Sequence, residues 1–480
     1  MLPFAEKAKD LAARTERNSA WRQRDCFNLI PSEATPSLLV KICEIADPSG
    51  RYAEHRSMKG EEVYFYQGTD FIRDVEIECQ KELAAFFGCT DIELRPISGQ
   101  MANEVVFKGL VKFLNRGRAE GQLSRRIRLV LNNELIYGGH LSAQPMGALF
   151  NYVEEDPATG KEQVVNFPVR KDNPYKPDLE RLAAILESHR PELIIFGKSM
   201  FLYREPVKFV ADIVRGWPAR PVLMFDMAHV LGLYGAFQAP FEEGADLITG
   251  STHKTFFGTQ RGVVAGNFPK GSPLRPLWLE IKGRAFPGST SNHHLGTLLG
   301  LLMAAYEMNA FKGPFQDQVR RNARALAKAL HAHGVPVEGD PADGYTETHQ
   351  VIIRVKPFGP GMEIARRLET NNVLTNYQAL PDDATFLESS GIRLGVQEMT
   401  RFGMVEKDFD ALAGLMSDII IRDKAAGEEV ARYRKNFLTM GFTLPPAEAL
   451  PLAAKILSSV ISDPGYASQF AENLRRAAGA

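Results

Sequence analysis

The chain has 480 residues, too many for one compact core, and its 44% apolar content is ample for two or three. Its 57 basic and 58 acidic side chains leave a formal charge of -1, so no global field draws it to nucleic acid or an anionic membrane. Cys26, Cys43, Cys79 and Cys89 crowd the first fifth without CxxC or zinc-ligand spacing. That pattern predicts reduced, mostly buried thiols, no metal site and a cytoplasmic location.

Phe4, Ala8, Leu11 and Ala12 recur at helical period ahead of a Pro-containing loop, Asn28 to Ser37, so residues 1–60 read as a helical arm with little core of its own. The charged start is unlike a signal peptide, and no run of about 18 uncharged apolar residues predicts a membrane span. From about residue 70 to 310, Ile127–Leu131, Leu193–Phe196, Val222–Phe225, Leu247–Ile248 and Val263–Ala265 alternate with helical patterns. Continuous apolar runs of this kind predict an α/β domain, residues 61–311, with a largely parallel sheet covered by helices. A buried helix over Leu295–Met308 is expected to end at Lys312-Gly313-Pro314. Beyond it a smaller α/β domain, residues 312–480, is predicted from helices at Gln316–His333, Met362–Thr370 and Glu406–Ile421, and strands at Val351–Val355 and Ile392–Val396.

Chemistry is concentrated at a few points. Ser251-Thr252-His253-Lys254-Thr255 puts a lysine among small residues just after a buried strand, where desolvation would make it nucleophilic. Taken alone, the segment reads better as a solvated loop lysine. Phe225-Asp226-Met227-Ala228-His229 ends another apolar run in an acid at the carboxyl end of a strand. Such an acid needs a cationic partner, and a protonated pyridine nitrogen is one, which makes Asp226 and Lys254 two halves of a pyridoxal-phosphate site. His229 could face the cofactor's phenolic oxygen or be a satisfied core histidine. Ser98-Gly99-Gln100-Met101-Ala102-Asn103 opens an apolar helix with exposed amides suited to phosphate, although ordinary N-caps look the same. Glycines before His140 would let that ring approach a flat ligand or simply make a turn. Arg393, in Ser390-Gly391-Ile392-Arg393, could grip a substrate carboxylate through a two-point fork or sit in a surface ion pair.

Together with Leu29-Ile30-Pro31-Ser32-Glu33, Tyr52-Ala53-Glu54, Gly138-Gly139-His140-Leu141 and Phe286-Pro287-Gly288, these motifs resemble those of serine hydroxymethyltransferases, fold-type I pyridoxal-phosphate enzymes, from Leu29 to about Phe409. The resemblance implies the aspartate-aminotransferase-like fold, with Lys254 bearing pyridoxal 5'-phosphate, Asp226 on its ring nitrogen and His229 near its phenolic oxygen. It implies phosphate and ring contacts from Ser98, Gly99, Gln100 and His140, and further cofactor contacts from Ser199, Ser251 and His253. Ser32, Tyr52, Tyr66 and Arg393 would surround an amino-acid substrate, and Glu54 would be the acid or base at its hydroxyl. A homodimer with a shared site is the implied assembly, with pairing of dimers into a tetramer left open.

Several departures cluster around the region that binds tetrahydrofolate in the family. The loop after Glu54 is about four residues longer and carries Lys59, Glu61 and Glu62; Tyr137 stands in place of a His; and Ser291-Asn292-His293-His294 replaces a Gly-Gly-Pro-Leu run. The expected reaction is therefore joining or splitting the Cα–Cβ bond of a β-hydroxy amino acid, with two variants. One is a serine hydroxymethyltransferase that uses tetrahydrofolate; the other is a folate-independent threonine aldolase or transaldolase. An aminotransferase and a non-catalytic relative are further readings, and intact Lys254, Asp226, His229 and Arg393 argue against the last.

Overall fold

The computed structural model describes residues 4–58, 61–118, 122 and 124–478; Lys59 of the lengthened loop lies outside them. The arm begins with α1 (Ala5–Ala20), which buries none of its side chains. It continues through β1 (Phe27–Asn28), α2 (Leu38–Glu44) and a hairpin of β2 (His55–Met58) and β3 (Glu61–Tyr64). In α3 (Asp70–Phe87), Ile72, Val75, Cys79, Leu83 and Phe86 recur every three or four residues and are buried, and Gly88 stops the helix in the left-handed region at φ 64°.

The main sheet is assembled from β4 (Asp91–Glu93), β5 (Val130–Asn132), β6 (Val164–Asn166), β7 (Leu193–Phe196), β8 (Val222–Asp226), β9 (Leu247–Ser251) and β10 (Gly262–Gly266). Its order is β4-β10-β9-β8-β7-β5-β6. The strands from β9 to β6 run parallel, whereas β10 is antiparallel to both neighbours. The reason is local: β9 and β10 are joined by a short connection, and a parallel pair needs a crossover of a dozen or more residues. Lys254 sits on that connection. Edge strands β4 and β6 escape sequence reading because each has three residues and no sustained apolar run. Helices α4 (Gly99–Leu114), α5 (Leu179–His189), α6 (Val207–Val214), the short α7 (Pro240–Glu243) and α8 (Arg275–Ala285) complete this part, with α4 packed along α8.

One expectation fails outright. The break at Lys312-Gly313-Pro314 does not occur; α9 is a single helix, Leu295–Ala332, with Pro314 inside it. Proline forfeits one backbone hydrogen bond, but buried Met308, Phe315 and Val319 on either side hold the helix through that point. The expected boundary at 311/312 thus falls inside an element that packs on α2 and α3 as well as on the C-terminal layer. That layer contains β11 (Gln350–Arg354), α10 (Gly361–Thr370), β12 (Val373–Leu374), β13 (Asn376–Gln378) and β14 (Gly391–Gly395), then helices α11 (Gln397–Arg401) and α12 (Glu406–Arg422). Its sheet is antiparallel, in the order β11-β14-β13, and β12 pairs with β1, stitching the arm to this layer. Helices α13 (Gly427–Arg434), α14 (Pro446–Ser459) and α15 (Pro464–Ala478) follow. The four thiols are free, and only Cys89 is not fully buried. Among the described residues no helix is long and apolar enough to cross a membrane.

Candidate active site

Strand β8 is buried along its whole length between two parallel neighbours, so its last residue, Asp226, is delivered buried to the carboxyl edge of the sheet. Burial alone would push its carboxyl up. Donors reverse that: His140 Nδ1 at 2.5 Å, Asn103 Nδ2 at 2.7 Å and Ser142 Oγ at 3.1 Å all reach Oδ2, and the Ala228 amide reaches Oδ1 at 3.0 Å. The group is held well below the usual carboxylate range, as a fixed negative charge. Asn103 is oriented in turn by the Thr249 hydroxyl, which donates to its Oδ1 at 2.5 Å.

Lys254 is also buried, and burial, outweighing the attraction of Asp226, pushes its ammonium down to about 8. Its Nζ lies 3.4 Å from His229 Nε2. His229 is kept neutral by burial and by Lys254 and Arg393 nearby, and Gln350 Nε2 approaches its Nδ1 at 3.5 Å. Arg393 is buried too, which lowers its basicity to about 10. Among the described residues no carboxylate pairs with it; its guanidinium donates only to the Ser199 carbonyl at 2.7 Å and the Asn376 amide oxygen at 3.4 Å. A buried, uncompensated cation of this kind is a receptor for an anion.

Ser98 caps α4 by accepting from the Met101 amide at 3.1 Å, leaving the first amides of the helix without intrahelical partners, an arrangement that can receive a phosphate. Gly99 is required there because a Cβ would run into Ser251 Oγ. Gln100, on the next position, is exposed. Ser32, His253 and Lys254 line one pocket of about 1050 Å³, and His253 Nδ1 is buried without a hydrogen-bond partner among the described residues. The donor set suits pyridoxal phosphate: a buried amine of lowered basicity for its aldehyde, a fixed carboxylate for its ring nitrogen and a helix start for its phosphate.

Not every expected residue meets this cluster in the same way. His140 turns its Nδ1 to Asp226 and stands edge-on to His229, with ring centres 5.7 Å apart. Ser199 engages the site through its carbonyl, which accepts from Arg393 and Gln350. Tyr52, Glu54 and Tyr66 do not line the Lys254 pocket; the two tyrosine rings pack 5.1 Å apart and about half exposed. The contacts that sequence reasoning missed are Asn103, Ser142, Thr249 and Gln350. For Asn103 a cue existed, an amide on the apolar face of a helix between Ala102 and Val105-Val106; the others are polar residues with no local pattern.

Comparison with known proteins shows the family. The family model for serine hydroxymethyltransferase matches residues 5–416. Serine hydroxymethyltransferase of Archaeoglobus fulgidus is 36% identical over 433 residues, covering 89% of this chain and 91% of its own. That of Pyrobaculum arsenaticum is 35% identical over 426 residues, covering 88% and 91%. Among solved structures, an L-threonine transaldolase from Pseudomonas fluorescens superposes with a TM-score of 0.78 at 22% identity, covering 94% of this chain and 98% of its own, a likeness of fold. With the family model spanning most of its length, the chain belongs to the serine hydroxymethyltransferase family of pyridoxal-phosphate enzymes.

Proposed function

We propose that the enzyme makes or breaks the Cα–Cβ bond of a β-hydroxy amino acid, joining glycine to a one-carbon unit or an aldehyde. The observation that carries this reading is the buried set of Lys254, Asp226 and His229 beside the unpaired guanidinium of Arg393. Lys254, Asp226, and Ser98 with Gly99 would hold pyridoxal phosphate by its aldehyde, ring nitrogen and phosphate. When bound, the cofactor supplies an electron sink for a bond to the substrate's Cα. Arg393 would bind the substrate carboxylate with Ser32 at its side, and so decide which Cα bond stands perpendicular to the cofactor ring. Glu54 would take the proton from the β-hydroxyl as its oxygen becomes a carbonyl, and return it in the reverse direction. His229, neutral in its dry surroundings, would face the cofactor's phenolic oxygen, with His140 against the ring.

Because Tyr52, Glu54 and Tyr66 do not line the Lys254 pocket of their own chain, we infer that they serve the site of a second copy in a homodimer. Specific observations also favour the folate-independent variant, a threonine aldolase or transaldolase. The lengthened loop carries the strands β2 and β3, Asn292 of the Ser291–His294 run bonds to Ala53 just before β2, and His293 lies against Glu76 of α3, which Tyr64 of β3 also contacts, so two departures from the family are neighbours. The deciding experiment incubates the purified holoenzyme with L-serine or L-threonine, with and without tetrahydrofolate. Serine cleavage that requires tetrahydrofolate would establish a hydroxymethyltransferase. Acetaldehyde released from threonine at a rate indifferent to folate would establish the aldolase variant. Neither activity, with transamination to a keto acid instead, would overturn the proposal.

A further inference from the structure

The Tyr52-Ala53-Glu54 segment is gripped from a loop more than two hundred residues away. Asn292 Nδ2 donates to the Arg51 carbonyl at 2.6 Å, and its Oδ1 accepts from the Ala53 amide at 3.3 Å. One side-chain amide thus brackets the backbone immediately before Glu54. On the other side, His55 Nδ1 donates to the Ala53 carbonyl at 3.1 Å and the Glu54 carbonyl accepts from the Phe65 amide at 3.0 Å.

The loop bearing Asn292 is itself locked. His293 Nδ1 accepts from Arg261 Nη2 at 2.9 Å, and its Nε2 lies 2.8 Å from the Oε1 of buried Glu76, an ion-pair distance without hydrogen-bond alignment. The other oxygen of Glu76 accepts from the Tyr64 hydroxyl at 2.7 Å, and Tyr64 stacks on His55 with ring centres 4.4 Å apart. Arg261 also donates to the carbonyls of His293 and His294, and its own backbone is bonded to Thr252, two residues before Lys254. A continuous path of hydrogen bonds therefore runs from the Lys254 turn through Arg261 and the 291–294 loop to the segment that presents Glu54.

We propose that Asn292 is a positioning residue that holds Glu54 in register for proton transfer, with the His293–Glu76–Tyr64 contact as its anchor. The inference rests on the assignment of Glu54 as the acid or base. A carboxylate on a half-exposed loop loses reactivity when displaced by about 1 Å, a change that can cost on the order of a hundredfold in rate. Asn292 is well suited to prevent this because it contributes both a donor and an acceptor to adjacent peptide groups.

The test uses the holoenzyme and its β-hydroxy amino acid substrate, with variants Asn292→Gly, Asn292→Asp, Glu54→Gln and the double variant of Asn292→Gly with Glu54→Gln. Asn292→Gly is expected to lower kcat roughly 10- to 100-fold with KM changed less than about threefold, because only the proton-transfer geometry is lost. Asn292→Asp, which keeps the acceptor for Ala53 and loses the donor to Arg51, should recover part of kcat. In the Glu54→Gln background the same glycine change should cost less than about twofold more, since the group it positions is already gone. Hydrogen exchange in the holoenzyme reads the clasp without reference to activity: the Ala53 amide, protected in the parent chain, should exchange faster in Asn292→Gly. Unchanged kcat in Asn292→Gly, equal protection of Ala53, or a full additional loss in the double variant would each overturn the proposal. Full activity of Glu54→Gln would instead remove the acid–base assignment and with it the positioning role, while the exchange measurement would still decide whether the clasp exists.

Discussion

Replacing Asn103 by alanine removes the donor at 2.7 Å from Asp226 Oδ2 and the acceptor of the Thr249 hydroxyl, both fully inside the protein. A hydrogen bond to a buried charge contributes about 1.5–3 kcal/mol and a neutral one about 0.5–1.5 kcal/mol, so the variant should lose about 2–4 kcal/mol of unfolding free energy at pH 7. Asp226 would remain ionised, because His140, Ser142 and the Ala228 amide still face it. The sign of the pH dependence follows from its depressed acidity in the folded state. Such a group stabilises fully above its unfolded value of about 3.9 and loses that contribution only as pH falls through the folded value. Urea unfolding of parent and Asn103→Ala at pH 5, 6, 7 and 8 should therefore show a constant gap, and Thr249→Val, which removes only the neutral bond, should show the smaller loss. The variant holoenzyme should also bind its cofactor more weakly. A gap under about 0.5 kcal/mol, or one that appears only above pH 7, would refute the dependence of Asp226 on Asn103.

Arg393→Lys replaces a fork by a single ammonium, so KM for the amino acid should rise about 10- to 100-fold with kcat changed much less; an unaltered KM in steady-state assays would remove Arg393 from carboxylate binding. Lys254→Ala should abolish turnover and covalent cofactor attachment while the far-ultraviolet circular dichroism stays that of the parent, and residual activity would displace Lys254 from its role. Because the neutral amine is the nucleophile and burial brings Lys254 down to about 8, uptake of cofactor by the stripped protein should accelerate about tenfold per pH unit up to about pH 8 and then level off. A rate still climbing at pH 10 would mean an ordinary, solvated lysine. In Gly262→Ala the new Cβ would run into the Ser98 carbonyl, which is backbone and cannot swing aside, so about 1–3 kcal/mol of stability and part of the phosphate affinity should be lost. Thermal denaturation and cofactor titration would show it.

Much of the site was legible in the sequence because its chemistry is written in short segments. An apolar run ending in Asp226 and a lysine following a second run fix where both groups lie relative to a parallel sheet, since buried strands deliver their last residues to one edge. The start of α4 at Ser98 and Gly99 was readable for the same reason, its cap and its helix being contiguous. The apolar periodicities placed the central strands and α10 and α12 within a few residues. The short strands β4 and β6 and the uninterrupted α9 were not readable, because pairing at a sheet edge and burial on both sides of Pro314 are supplied by distant chain, and they override a weak or contrary local signal. The same holds for the partners of the chemical groups. That Asn103 rather than another amide orients Asp226, that Arg393 lies buried with no acid beside it among the described residues, and that Asn292 grips the backbone before Glu54 depend on contacts between residues separated by from more than one hundred to more than two hundred positions. Residue type and local period determine which groups are present and on which element; only the tertiary packing decides which of them meet, because hydrogen-bond geometry in a dry interior is set by the relative placement of whole elements.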